Sequence, residues 1–290
     1  MTESAHGASG RTATRTVRLL AVSGEGSARR RDQLAGEEPM EIRVGTPGAN
    51  QQAVAVTMRT PGSDFELAVG FLITEGVIDS AAAVRTVRYC DVPRAAQQYN
   101  VVTVDLDRPV DLSAATRTFY TTSSCGVCGK ASLDAIEVRC APVADGPRVA
   151  AEVIRALPGR LRDAQRLFDR TGGLHAAGLF TADGELVVLR EDVGRHNALD
   201  KVVGERALAD ALPLAGHVLM VSGRVSFEIV QKAAVAGIPI VCAVSAPSSL
   251  AVDAGRRFGM TIVGFVRDDR FNVYSGTERI AAAATDAAAV

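Results

Sequence analysis

Residues 217–266, HVLMVSGRVSFEIVQKAAVAGIPIVCAVSAPSSLAVDAGRRFGMTIVGFV, decide the fold. Three strand-length apolar runs, His217–Val221, Ile238–Val244 and Met260–Val266, alternate with helically patterned Val225–Ala236 and Ser248–Phe258. A strand that is apolar at every position is buried on both faces. Strands of that kind separated by helices predict a parallel sheet covered on both sides. Just upstream, His175–Thr181 and Glu185–Arg190 are β-runs joined by Ala182-Asp183-Gly184, where Asp-Gly marks a hairpin. Helix Arg195–Ala209 follows, and Asn272–Tyr274 is a last short strand. The opening hairpin makes the sheet mixed. The expected fold class is therefore α/β, a three-layer domain over residues 146–280.

Before position 145 the texture is different. Val17–Val22, Glu38–Val44, Ala53–Met58, Val84–Cys90 and Tyr99–Leu106 read as β-segments. One helix interrupts them, Asp64–Glu75, with Asp64 as its cap and Phe65, Val69, Leu72 and Ile73 on one face. A Ser/Thr/Gly-rich loop, Thr118–Lys130, precedes a helix expected at Ala131–Val138. Further helix is expected over Ala150–Asp169, interrupted at Pro158-Gly159. Residues 15–145 thus read as a smaller α+β lobe ending in that loop, between a disordered leader at 1–14 and an Ala-rich tail at 281–290.

Composition removes several functions. The chain of 290 residues is 47% hydrophobic and 22% charged, enough for a sizeable core. Runs such as Leu214–Val221 fall far below the roughly 18–20 residues of a membrane span. A formal charge of −1 argues against binding nucleic acid through phosphate neutralisation, and 4% aromatics argue against base stacking. Five cysteines are too few, and odd in number, for a disulfide scaffold, and the polar N-terminus shows no secretory h-region. The expected location is the cytoplasm.

Two features carry chemistry. The first is Thr121-Thr122-Ser123-Ser124-Cys125-Gly126-Val127-Cys128-Gly129-Lys130. The N-terminus of the helix expected next carries about half a positive charge, which together with Lys130 favours thiolate over thiol. Gly126 and Gly129 permit close approach and movement. A nucleophilic sulfur that visits two partners fits this setting. Structural zinc wants a second such pair, and Cys90, Cys140 and Cys242 are isolated. A thioredoxin-like dithiol wants an early βαβ unit. A zinc deaminase needs His and Glu upstream of its cysteines, whereas here His175 and His196 lie downstream. Cys242, inside an apolar strand, reads as core.

The second feature is a set of turns at strand ends: Arg190–Asn197, Ser222-Gly223-Arg224, Ser245–Ser249 and Arg267–Arg270. In an open α/β sheet such turns face one crevice, where helix N-termini and arginines bind anions. Ser248 or Ser249 is placed to cap the helix after Pro247, and Arg195, Arg224, Arg267 and Arg270 can clamp phosphate oxygens. Without a Walker A or G-x-G-x-x-G pattern, ATP hydrolysis and ordinary dinucleotide redox are disfavoured. His196, flanked by Arg195 and Asn197, is a better ligand candidate than the glycine-flanked His175.

These blocks together resemble the FdhD family of formate dehydrogenase accessory sulfurtransferases. The resemblance is carried by Ser124–Gly129, Gly172–His175, Glu191–Lys201, Ser222–Arg224, Ser245–Ser249 and Gly264–Arg267 leading to Asn272-Val273-Tyr274. It implies a fold similar to cytidine deaminase. It also implies a sulfur carrier that takes persulfide sulfur from a cysteine desulfurase and delivers it to the molybdenum of the bis(molybdopterin guanine dinucleotide) cofactor for formate dehydrogenase. Cys125 would bear the persulfide, with Cys128 as its partner. The resemblance puts the cofactor on Phe265, Val266, Arg267, Asp268, Asp269 and Arg270. Beside them the strand-end turns offer His196, Ser222, Gly223, Arg224 and Ser248. GDP would mimic the cofactor, and the chain would form a homodimer. The competing expectations are a chaperone that carries the pterin without handling sulfur, and a thiol oxidoreductase.

Overall fold

A computed structural model describes residues 12–46, 50–90, 99–110, 142–143 and 145–281. Outside these residues lie the leader to residue 11, the Cys125–Cys128 loop, the expected helix Ala131–Val138, Cys140 and the tail beyond Ala281.

The central sheet has six strands in the order β13-β12-β11-β10-β8-β9. These are β8 (His175–Thr181), β9 (Leu186–Asp192), β10 (His217–Val221), β11 (Ile240–Ala243), β12 (Thr261–Gly264) and β13 (Asn272–Ser275). β10, β11 and β12 are parallel; β8, β9 and β13 join antiparallel, so the sheet is mixed as the sequence predicts. The alternation of each strand sends residues to two cores. Ala176, Phe180, Val218, Met220, Ile240, Cys242 and Val263 pack with Ile154, Leu157 and Leu161 of α2 (Ala151–Ala164). Ala177, Leu179, Leu219, Val221, Val241 and Ile262 pack on the opposite side. There they meet α4 (Arg195–Leu208), α5 (Phe227–Val235) and α6 (Ser249–Arg257).

The same apolar core continues through α1 (Asp64–Thr74) into a four-stranded sheet ordered β4-β3-β6-β5. Its strands are β3 (Glu38–Gly45), β4 (Gln52–Arg59), β5 (Val84–Tyr89) and β6 (Val101–Leu106). Met40, Ile42, Val102, Val104 and Leu106 are all buried in this core. α1 crosses α4 at two glycines, Gly70 and Gly204.

Four local expectations need correction. Thr14 opens a strand rather than closing the leader: β1 (Thr14–Ser23) pairs with β2 (Gly26–Ala35) over ten register pairs. β2, GSARRRDQLA, has no buried face and so no apolar alternation to read. Pro158 does not interrupt α2, because Ile154, Leu157 and Leu161, packed on the sheet, outweigh the hydrogen bond it removes. The chain breaks instead at Gln165 and resumes as α3 (Arg166–Thr171). Asp64 is the first residue of α1 and Ser63, at φ 55°, precedes it; the carboxylate grips the Arg59 guanidinium at 2.8 and 2.9 Å. Last, Ala281 belongs to β14 (Ile280–Ala281), paired with β7 (Val149–Ala150), and not to the tail.

Candidate functional site

The parallel direction of β10, β11 and β12 brings their C-terminal turns to one edge of the sheet. The antiparallel β8 and β9 add the start of β8 at His175 and the end of β9 at Asp192. The turns are tied together: Val225 N–H donates to Ala246 O (3.2 Å) and Ser248 N–H to Val225 O (2.9 Å). Ser248 Oγ accepts from Ala251 N–H at 3.2 Å and caps α6, as its position before an apolar helix predicts.

Along this edge, on the α2 side, runs a trough. One part, about 600 Å³, lies between Leu161, Phe168, Leu174, His175, Val193 and Ser222. A second part, about 460 Å³, reaches from Val244 and Val266 to Arg267, Asp268, Asp269 and Arg270, and the two share Pro158 and Val244. A smaller hollow of about 260 Å³ lies between Phe265, Arg267, Arg270 and Asn272. Apolar walls with a charged, arginine-bearing loop at one end suit a ligand that is part ring and part anion.

The loop at that end carries no net charge, since Asp268 and Asp269 stand between Arg267 and Arg270. Arg267 Nη1 is spent on Val244 O (2.6 Å) and Val266 O (2.8 Å), and Arg270 Nη1 lies 3.3 Å from Asp269. Val266 is fully buried, with its N–H donated to Ala243 O (3.0 Å) and its carbonyl held by Arg267, while Phe265 is 41% exposed at φ 54°. The ring stands at the rim in a left-handed backbone that a phenylalanine rarely adopts.

The turn at Arg190–Asn197 reads in sequence as an anion-binding turn, but most charges of the block Glu191–Lys201 hold the edge together. Glu191 accepts from Leu167 N–H (2.9 Å) and Phe168 N–H (2.8 Å), closing the start of α3. Asp192, fully buried, takes Thr60 N–H at 3.0 Å, Gly194 N–H at 2.8 Å and Asn197 Nδ2 at 3.0 Å. Its fourth partner is Lys201 Nζ at 2.7 Å. Lys201 also donates to Thr60 O (2.9 Å), and Asn197 Nδ2 to Met58 O (2.7 Å). A buried charge held this way is stable only while every partner is present. This joint fastens the end of β4 to the start of α4. Further along α4, Asp200 meets Lys232 Nζ at 2.9 and 3.0 Å and Thr74 Oγ1 at 2.7 Å. Burial opposes the Lys232 ammonium, but Asp200 and Glu75 outweigh it and hold its pKa above the ordinary value.

The two histidines part company. His175 lines the trough; burial, then the nearby Arg195, pulls its pKa down. A Cβ on Gly223 would lie 3.3 Å from its Nδ1, so the small residue leaves room for the ring. Ser222 Oγ accepts Ala176 N–H at 2.9 Å and ties the turn to the start of β8. His196 instead points to the start of α5, with Nε2 3.3 Å from Ser226 Oγ and 3.8 Å from Glu228. Burial, Arg195 and Lys232 push its pKa down to about 4, so it is neutral at pH 7. The trough walls do not include it. Arg224 is exposed beside the same turn. The structure thus gathers Ser222, Gly223 and Phe265–Arg270 about the trough and sets His196 to one side. It adds a wall the sequence reading overlooked, Leu161, Phe168 and Leu174, for which Gly172-Gly173 was the available signal. Among the described residues no cluster of His, Cys, Asp and Glu could hold a metal. Cys242 is buried, and burial raises its thiol pKa, in keeping with a core residue.

A model of the FdhD/NarQ family matches residues 35–281. The chain belongs to the FdhD/NarQ family. Two relatives named sulfur carrier protein FdhD illustrate the likeness. The one from Mycolicibacterium paratuberculosis is 56% identical over 259 residues, covering 87% of this chain and 93% of the relative. That from Sulfurisphaera tokodaii is 44% identical over 265 residues, covering 91% and 98%. The fold is similar to a crystal structure of a putative formate dehydrogenase accessory protein from Desulfotalea psychrophila. There the TM-score is 0.72 and the identity 27%, over 93% of this chain and 100% of that one. The stretch shared with the FdhD/NarQ family contains the whole trough and the Asp192 joint, and begins where β2 ends. No described helix is long and apolar enough to cross a membrane.

Proposed function

We propose that the protein is a sulfur carrier serving a formate dehydrogenase. It accepts sulfur from a cysteine desulfurase and hands it to the molybdenum of a bis(molybdopterin guanine dinucleotide) cofactor, which is its substrate and cargo. The observation that carries the reading is the close likeness, over nearly the full length, to relatives named sulfur carrier protein. The paired Cys125 and Cys128 supply a carrier sulfur. In the first step the Cys125 thiolate attacks the terminal sulfur of the desulfurase persulfide. The S–S bond to the desulfurase cysteine breaks, that cysteine leaves as a thiolate, and Cys125 holds the persulfide. For release, the Cys128 thiolate attacks the Cys125 sulfur and the persulfide S–S bond breaks. The outer sulfur leaves at the sulfide level for the molybdenum, and a Cys125–Cys128 disulfide forms, supplying the two electrons.

The trough supports the cargo half. Its apolar walls at Leu161, Phe168 and Leu174 suit a ring, while Arg267, Arg270 and the exposed Phe265 suit a guanine nucleotide end, for which GDP is the mimic. Ser222 and Gly223 shape the floor beside His175, whereas Ser248 and Arg224 stand at the turns flanking it. The working state in this reading is a cytoplasmic homodimer. The test is complementation of cells lacking the protein. Cys125→Ser is expected to leave formate dehydrogenase protein present but inactive. Full dehydrogenase activity with Cys125→Ser and Cys128→Ser combined would instead mean a carrier of the pterin that handles no sulfur.

A further inference from the structure

The ribbon formed by β1 and β2 plays no part in the trough. Among the described residues neither strand has a second neighbour, so both outer edges offer unpaired backbone groups. Between residues 14 and 35 stand Arg15, Arg18, Arg29, Arg30 and Arg31 against Glu25 and Asp32, a surplus of three positive charges in a chain whose total is −1. The register sets Arg18 directly opposite Arg31 and Leu20 opposite Arg29, on the face that also carries Val22. Like charges facing each other across a hairpin destabilise it, so this arrangement works against the ribbon's own folding. Leu20 is 60% and Val22 75% exposed beside these arginines, and an open hollow of about 600 Å³ lies among Arg18, Leu19, Leu20, Arg29, Arg30 and Arg31. None of the five arginines forms an ion pair among the described residues.

The root of the ribbon is fixed. Arg170 of α3 donates to Gln33 Oε1 (3.0 Å) and Thr14 Oγ1 (3.3 Å), and a Cβ on Gly173 would lie 3.8 Å from the Ala35 methyl. α3 also supplies Phe168 to the trough, so the ribbon stands beside the opening.

We infer that this ribbon docks an acidic, extended segment of a partner protein. The segment adds as a strand to an open edge, its carboxylates meeting Arg18, Arg29 and Arg31 and its apolar side chains meeting Leu20 and Val22. Nucleic acid fits less well, because residues 14–35 contain no aromatic to stack on a base. A lipid surface fits less well, because the tip, Ser23-Gly24-Glu25-Gly26, is polar and acidic where an inserting hairpin would be apolar.

The test uses the full chain and a labelled peptide of five Glu-Val repeats. Binding is expected at about 50 mM salt and should weaken about tenfold or more by about 300 mM. It should vanish in Arg29→Glu/Arg30→Glu/Arg31→Glu and weaken in the milder Arg29→Gln/Arg31→Gln. Both variants should keep the thermal midpoint, because the opposed charges are relieved. Hydrogen exchange should slow in β1 or β2 when the peptide binds. Unchanged affinity in the folded variants, or protection only outside residues 14–35, overturns the inference. So does tighter binding to a single-stranded oligonucleotide or to phosphatidylserine vesicles, or loss of a homodimer in the variants. The sulfur chemistry does not enter, so this test can fail or succeed whatever Cys125 does.

Discussion

Gly70 of α1 and Gly204 of α4 face each other where the two helices cross. A Cβ on Gly70 would fall 2.7 Å from Gly204 N, and one on Gly204 would fall 2.8 Å from Gly70 N. Each would also overlap a carbonyl oxygen, that of Asp200 or that of Glu66. Backbone rather than side chain lies in the way, so neither helix can yield locally. Gly204→Ala is expected to force the helices apart and cost on the order of 1–3 kcal/mol, lowering the thermal midpoint by several degrees. An unchanged midpoint in calorimetry would show that the crossing is looser than this.

The joint at Asp192 makes a larger prediction. Asp192→Asn keeps the shape but leaves Lys201 charged in a fully buried site. Removing one partner of a buried pair costs about 3–5 kcal/mol. Chemical denaturation should show it, and adding Lys201→Met should recover part of the loss by removing the orphaned charge. A double variant no better than the single would mean the pair is not coupled.

Acid should find His196. Its pKa is about 4 in the folded chain and about 6.5 in an unfolded one. Between those values the unfolded chain binds more protons, so this histidine's contribution to stability is complete above about pH 6.5 and is lost as pH falls toward 4. His196→Gln removes the proton site, so the drop in thermal midpoint from about pH 7 to pH 5 should be smaller than in the wild type. Equal drops in the two proteins would show that His196 titrates normally.

Phe265 separates stability from binding. Glycine accepts φ 54° without the strain a phenylalanine carries there, so Phe265→Gly should leave the thermal midpoint equal or slightly higher. The exposed ring at the rim would be gone, and GDP affinity by calorimetry is expected to fall about tenfold. GDP binding as tight as in the wild type would remove the ring from the ligand site.

Much of this architecture was readable in the chain because burial on both faces leaves an unbroken apolar run, as in Met220–Val221 or Val241–Ala243. The edge followed from strand direction alone, which is why Ser222, Gly223 and the Arg267–Arg270 loop meet at the trough. The ribbon's second strand was not readable, since Arg29–Asp32 has no buried face and its pairing comes from the turn and from β1. Pro158 misled for the opposite reason: local propensity pointed to a break, and packing of Ile154 and Leu161 overrode it. The Glu191–Lys201 block read as a ligand turn because charged residues next to a glycine look the same whether they meet a phosphate or each other. Only the three-dimensional partners, Thr60, Met58 and Phe168, distinguish the two. The same ambiguity covers His196, which sequence groups with the ligand turns and the structure sets against Ser226 and Glu228 rather than in the trough wall.

The most direct measurement is intact-protein mass spectrometry after incubation with a cysteine desulfurase and cysteine. A gain of one sulfur atom is expected, removable by a thiol reductant, present in Cys90→Ser and absent in Cys125→Ser. Retention of that added sulfur by Cys125→Ser, or its absence from the wild-type protein under the same conditions, would contradict the account.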